Sequence, residues 1–292
     1  PVRHALTAET IAALSPRQTF LAASFLVGLY ALKSLSICFP MSALTAAGGL
    51  LFPFPLALAV NLCGTAVAQT IPFFLGRREQ GGLEALAERY PHVYAAVGIH
   101  PEDCAGAGDA EFAAIRKLAG HPKTVAIGEI GLDYYWEQNP PREFQQMVFR
   151  RQLALARELA LPVIIHDREA HGDTLAIVRE FPEVRGVFHC YSGSPEMAEE
   201  LIRRGWYLGF DGPVTYKNAR RAPETAAAAP LERIVIETDS PYMAPVPNRG
   251  KRNDSTNLTY VVEKLAEWKG VPVEQLARAT LENGKRLFRI SE

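Results

Sequence analysis

Two imidazoles and two carboxylates occupy equivalent places in the sequence. Glu129 ends the run VAIGE, His166 ends PVIIH, His189 ends GVFH and Asp239 ends IVIETD. Mixed nitrogen and oxygen donors of this kind suit Zn²⁺ or Mn²⁺, and a carboxylate-rich set also accepts Mg²⁺. One or two such cations would polarise a phosphoryl or carbonyl oxygen and bring the pKa of a water down to about 7. Asp239 has the chemistry both to ligate and to accept a proton from the attacking water. Taken singly, each residue has a structural reading. A histidine at a strand end is often only a hydrogen-bonded group. Glu129 precedes Gly131 and Asp133, which read as loop, and Asp239 precedes Ser240 and Pro241 as an N-cap would. Four ligand-type residues at four run ends favour a shared site.

The elements that must position them alternate. Strands are predicted over Val93–Gly98, Thr124–Gly128, Pro162–His166, Val187–His189, Trp206–Phe210 and Arg233–Glu237. Helices are predicted over Arg142–Leu161, Ala170–Glu180, Pro195–Arg204 and Asn218–Ala229. Alternation of this kind implies a parallel sheet with helices outside it, and near-continuous apolar strands imply cover on both faces. A closed barrel needs eight such units, whereas an open doubly wound sheet can use six. His100 and Asp211 also follow strand runs, so six chemically capable residues stand at six strand ends. In a TIM-type barrel these ends meet at one mouth, and the fold expectation is therefore an α/β, TIM-type (β/α) barrel lacking its first two strands. His100 is expected to contact substrate, the alternative being a loop histidine against Pro101. Arg168, Arg249 and Arg252, in loops after strands, are expected to grip phosphate; Lys251 reads as solvated. Tyr134, Tyr135 and Trp136 either stack on a base or cover the barrel rim.

The 292 residues are 48% hydrophobic and 22% charged, with a formal net charge of −1, which excludes a global basic field for polyanions. Cys38, Cys63, Cys104 and Cys190 form no zinc-ribbon spacing and read as reduced thiols. Charge is unevenly divided. Residues 1–78 hold Arg3, Arg17, Lys33, Arg77 and Arg78 against one acid, Glu9, and the acidic excess lies beyond them. Residues 34–76 carry no charged side chain and no histidine. This length favours a mostly helical membrane-type segment, with bilayer contact through 18–76, over a buried Ala- and Leu-rich hairpin. Pro40, Gly48, Gly49, Pro53, Pro55, Gly64 and Pro72 would bend or break its helices. The division expected is 1–78 and 79–292.

GIHPED (98–103), AIGEIGLDYY (126–135), LPVIIHDREAHGDTL (161–175), FHCYSGSPEMAEEL (188–201) and IETDSPYMAPVPNRGKRND (236–254) resemble, in order, the signatures of the TatD family. The ending LARATLENGKRLFRI is also similar, and the resemblance covers about 84–290. It implies a cytoplasmic, metal-dependent deoxyribonuclease-type hydrolase of phosphodiesters on a TIM barrel. Glu129, His166 and His189 would be its metal ligands and Asp239 a ligand or base. Residues 39–78 resemble a fragment of the DedA/VTT (SNARE-associated) membrane family, ending in Phe74–Arg77. The sequence departs from the TatD pattern in lacking the opening strand with its His-x-His pair. That departure predicts weakened activity and a weakly stable six-strand remnant. The competing function is a VTT-type membrane fragment fused to a catalytically impaired hydrolase remnant. No protein partner is expected.

Overall fold

The computed structural model describes residues 8–34, 41–65 and 82–291. The chain divides into two compact units at Leu86/Ala87, eight residues beyond the charge boundary at 78.

The first unit is helical: α1 (Ala8–Leu14), α2 (Thr19–Ser34), α3 (Met41–Leu51) and α4 over 54–65. Ile11, Leu26, Tyr30, Leu44 and Val60 form its core. The buried Tyr30 hydroxyl donates to Asn61 Oδ1 at 3.1 Å, and Asn61 Nδ2 donates to the Thr45 carbonyl at 3.1 Å, so the one polar atom of the Tyr30 side chain is satisfied. Pro53 opens α4, where a missing N–H costs nothing. The described part of the apolar run is thereby broken between α3 and α4. Among the described residues no helix is long and apolar enough to cross a membrane, and α2 has 16 residues. This corrects the expectation of a spanning helix for the described part of 18–76; residues 35–40 and 66–81 of that stretch lie outside the described residues.

The second unit, which begins within α5 (Gly82–Arg89), contains one parallel sheet, ordered β1 to β6 as in sequence: β1 (Ala95–Val97), β2 (Thr124–Asp133), β3 (Val163–Arg168), β4 (Gly186–Phe188), β5 (Tyr207–Phe210) and β6 (Ile234–Ile236). The helices α6 (Asp109–Ala119), α7 (Arg142–Leu159), α8 (His171–Arg179), α9 (Pro195–Arg203), α10 (Arg221–Ala228), α11 (Leu258–Lys269) and α12 (Val273–Phe288) complete it. The core joins Ile127, Ile130, Leu132, Val163, Ile165, Phe188, Leu208, Phe210 and Ile234 of the sheet to Phe149, Leu153, Leu201, Leu265 and Leu276 of the helices. All six expected strands are present. Among the described residues no strand joins β6 back to β1.

One difference matters for the site. β2 does not stop at Gly128 but runs to Asp133, and β3 runs on to Arg168. The register slips between Ile127↔Val163 and Ile130↔Ile165, so β2 carries an extra residue there. Such a bulge re-aims a side chain without ending the strand, and Glu129 lies inside it. Pairing resumes as Gly131↔His166 and Asp133↔Arg168. Gly131 has φ +149°, and a Cβ there would overlap the His166 carbonyl oxygen. The loop-like composition of Gly131 thus reflects a close strand approach.

Candidate metal centre

Helix α7 sets two sides of the site through buried glutamines. Gln152 accepts from the Ile99 amide at 2.7 Å and donates to the Ile99 carbonyl at 2.9 Å, which fixes the chain beside His100. Gln145 accepts from the Asp133 amide at 2.8 Å and donates to the Asp133 carbonyl at 2.9 Å, which fixes the end of β2.

Between these anchors, Glu129 Oε1 lies 2.8 Å from His166 Nδ1, 3.8 Å from His189 Nε2 and 4.0 Å from His100 Nε2. Asp239 Oδ1 lies 3.6 Å from His189 Nε2. Donors about 2.1 Å from one ion sit roughly 3.0–3.4 Å apart in octahedral or tetrahedral geometry, so these separations are close to what a common cation needs. The four side chains singled out as ligands thus form a row of neighbours, Glu129 beside His166 and His189, and His189 beside Asp239, on or just after four different strands.

The far nitrogen of each imidazole has its own partner. His166 Nε2 bonds Asp133 Oδ2 at 3.0 Å, and the Asp133 side chain is fully buried. His189 Nδ1 bonds Glu237 Oε2 at 2.6 Å, while Glu237 Oε1 accepts from the Cys190 amide at 3.1 Å. A carboxylate only accepts, so each of these outer nitrogens carries a proton. A neutral imidazole then has its lone pair on His166 Nδ1 and His189 Nε2, the two atoms that face Glu129. His100 has the opposite polarity. Its Nδ1 accepts from the Glu102 amide at 3.3 Å, so the Nε2 facing Glu129 bears the hydrogen. His100, Glu129 and His166 are near enough to one another to enclose an ion, but the tautomer makes His100 a hydrogen-bond donor.

Electrostatics follow this arrangement. Burial disfavours charge on His166, but the bonds from Asp133 and Glu129 outweigh it and push its pKa up to about 9. Burial is likewise outweighed at His189 by the Glu237 charge and by Asp239 and Glu129, and its pKa is pushed up to about 12. At Glu129 burial is overcome by the His166 bond and the nearby histidines, so its pKa is lowered. Burial and the His166 charge lower His100. Burial, then the Glu237 charge, pushes Asp211 up to about 7. Carboxylates that hold two imidazoles as cations suit a divalent ion, which would replace two protons with the same charge.

Two inner positions show how tightly the site is fitted. Gly209 of β5 leaves the space filled by the Glu237 carboxylate, since a Cβ there would overlap Oε1. Asp239 has φ +54°, a left-handed conformation rare for a residue with a side chain and common at functional sites.

The expected phosphate groups fare differently. The Arg168 guanidinium stacks 4.1 Å from the Tyr135 ring and 5.4 Å from Trp136. Arg249 stacks 4.1 Å from Tyr216, which engages its flat face on a distant segment. Arg252 is exposed. Among the described residues no ion pair or hydrogen bond ties Arg249 or Arg252 to the histidine–carboxylate group. Tyr134 is held by Asp173, Gln146 and Arg142 and belongs to the rim. Asp133 and Glu237 escaped the sequence reading. The signal was there: Glu237 stands two residues before Asp239, and Asp133 four after Glu129.

The family model "TatD related DNase" matches residues 64–289. Among relatives, the uncharacterized metal-dependent hydrolase YabD of Bacillus subtilis (strain 168) is 46% identical over 208 residues, spanning 70% of this chain and 81% of that protein. YcfH of Escherichia coli (strain K12), also an uncharacterized metal-dependent hydrolase, is 42% identical over 233 residues, spanning 79% and 84%. A protein of Cronobacter sakazakii named 3'-5' ssDNA/RNA exonuclease TatD is 38% identical over 214 residues, spanning 70% and 80%. The crystal structure of the TatD homolog YJJV from Escherichia coli K12 superposes with a TM-score of 0.68 at 32% identity, covering 73% of this chain and 83% of that one. The DedA/VTT resemblance of 39–78, and with it the expected bilayer contact, finds no support in these matches.

Proposed function

Because the chain belongs to the TatD-related DNase family of metal-dependent hydrolases, we propose that it cleaves phosphodiester bonds of single-stranded nucleic acid. Glu129, His166, His189 and Asp239 hold one or two divalent cations. The observation that carries this reading is the single Glu129 oxygen lying 2.8 Å and 3.8 Å from the lone-pair nitrogens of His166 and His189. The nucleic-acid substrate class is drawn from the exonuclease name of the Cronobacter relative. The cation, when bound, supplies charge stabilisation at a phosphoryl oxygen and acidifies a water.

The protein's residues do the remainder. Asp239 faces the same space as His189 Nε2 and takes the proton from the attacking water. His100 presents Nε2–H beside Glu129 and donates to a non-bridging phosphoryl oxygen, where negative charge grows. Asp133 and Glu237 hold His166 and His189 in the tautomers that leave their inner nitrogens free.

The test is hydrolysis of a labelled single-stranded oligonucleotide by purified protein with Mn²⁺ or Mg²⁺. Cleavage that stops on chelation and returns with metal is the expected result; no cleavage with either ion, or cleavage indifferent to chelation, rejects the assignment. The outer carboxylates give a second expectation. Asp133→Asn and Glu237→Gln each weaken metal affinity roughly 10- to 100-fold, measured by calorimetric titration with Mn²⁺. Unchanged affinity in both would show that these carboxylates do not orient the ligands.

A further inference from the structure

The surroundings of Glu129 differ sharply on its two sides. Toward β1, a cavity of about 360 Å³ beside His100 is lined by Asp103, Glu111 and Glu129, whose carboxylates repel a phosphate backbone. Toward β3 stand two exposed aromatic rings and one arginine. Tyr135 is 52% and Trp136 43% exposed, although both are large rings with apolar faces. Their centroids are 4.7 Å apart in an edge-to-face pair at 87°. Arg168 stacks against the pair at 4.1 Å and 5.4 Å.

This surface is fastened to the site. Asp133 bonds His166 Nε2 through Oδ2 and the Tyr135 amide through Oδ1, at 3.0 Å and 2.9 Å. Arg168 lies two residues beyond His166 on β3, so the two side chains share a face of the strand. Two residues of strand span about 6.6 Å, comparable with the distance between successive nucleotides of an extended single strand.

We propose that Tyr135 and Trp136 form a stacking platform for the nucleobase next to the scissile phosphate, with Arg168 as the phosphate contact beside it. This rests on the nucleic-acid reading above and assigns the residues that recognise a base. Aromatic faces stack every base, so the platform selects single strands without selecting sequence. A guanidinium stacked on a ring still points its N–H groups outward in its own plane, free to donate to phosphate oxygens. The duplex is excluded because its bases are already stacked.

The test uses anisotropy of labelled phosphorothioate oligothymidylate, chosen to resist cleavage, in the presence of Mn²⁺, beside an abasic strand of equal length. Wild-type protein is expected to bind the base-bearing strand roughly 10-fold more tightly than the abasic one. Tyr135→Ala and Trp136→Ala erase that difference without changing abasic binding or melting temperature. Arg168→Gln weakens both strands and lowers the salt dependence by about one phosphate contact. Equal affinity for the two strands, no binding of either, or a loss in the aromatic variants that affects both strands alike overturns the platform. Hydrolysis of an unmodified strand is followed in parallel. Cleavage without base-dependent binding removes only the platform, and base-dependent binding without cleavage removes only the hydrolase reading.

Discussion

Glu129→Ala lowers metal-dependent phosphodiester cleavage roughly 10³-fold, equivalent to about 4 kcal/mol of transition-state stabilisation. Among the described residues no other side chain has an oxygen within 4.0 Å of three imidazoles. Its removal takes a donor from the cation and leaves His166 and His189 as adjacent cations when metal is absent. Each is raised by several carboxylates, of which Glu129 is one. Retained metal would then be weaker and misplaced. The measurements are single-turnover cleavage and metal content of the purified variant, with near-ultraviolet circular dichroism as the check on folding. Glu129→Gln keeps the volume and removes the charge, and is expected to lose nearly as much. A folded Glu129→Ala that cleaves within 10-fold of wild type contradicts the assignment of this residue.

Gly131→Ala costs about 3 kcal/mol or more of stability, although it adds one methyl group. The added Cβ would overlap the backbone oxygen of His166 on the neighbouring strand, and φ +149° is itself unfavourable for alanine. A backbone carbonyl in a parallel ladder cannot swing away as a side chain can, so β2 and β3 must separate. In a unit of this size the loss corresponds to a melting-temperature drop of roughly 6–12 °C. Because the displaced atom belongs to His166, metal affinity falls as well. Gly172→Ala is the control, since a Cβ there meets nothing within 4 Å. Equal melting temperatures for the Gly131 and Gly172 variants would refute the strand contact.

The strand positions were legible because parallel strands covered on both faces must be apolar along their length. Each run then ends where the first polar side chain turns toward the mouth, as at His189 and Asp211. β2 was read short because Gly131 and Asp133 have loop composition, whereas one serves a close strand approach and the other holds His166. The proximity of Glu129 to His166 and His189, and of His189 to Asp239, was foreshadowed by residue type and position alone. The outer carboxylates were not, because their function depends on which imidazole nitrogen they reach. Arg249 shows the converse limit. Its place after the last strand gave no hint of the ring beneath it, Tyr216, 33 residues earlier in the chain, on which its guanidinium stacks. In the first unit the apolar character was legible, but among the described residues no helix is long enough to span, since the break around Pro53 separates α3 from α4.

Asp133 is a shared hinge pin: one carboxylate oxygen holds the imidazole that faces the cation and the other holds the backbone that carries the aromatic pair. On the proposed function, occupancy at either place would restrain the same buried group and so link cation and nucleic acid thermodynamically. Whatever factor the cation contributes to strand affinity, the strand must return to cation affinity. Severing one arm with Asp133→Asn draws that cooperativity factor toward unity even where each partner still binds alone.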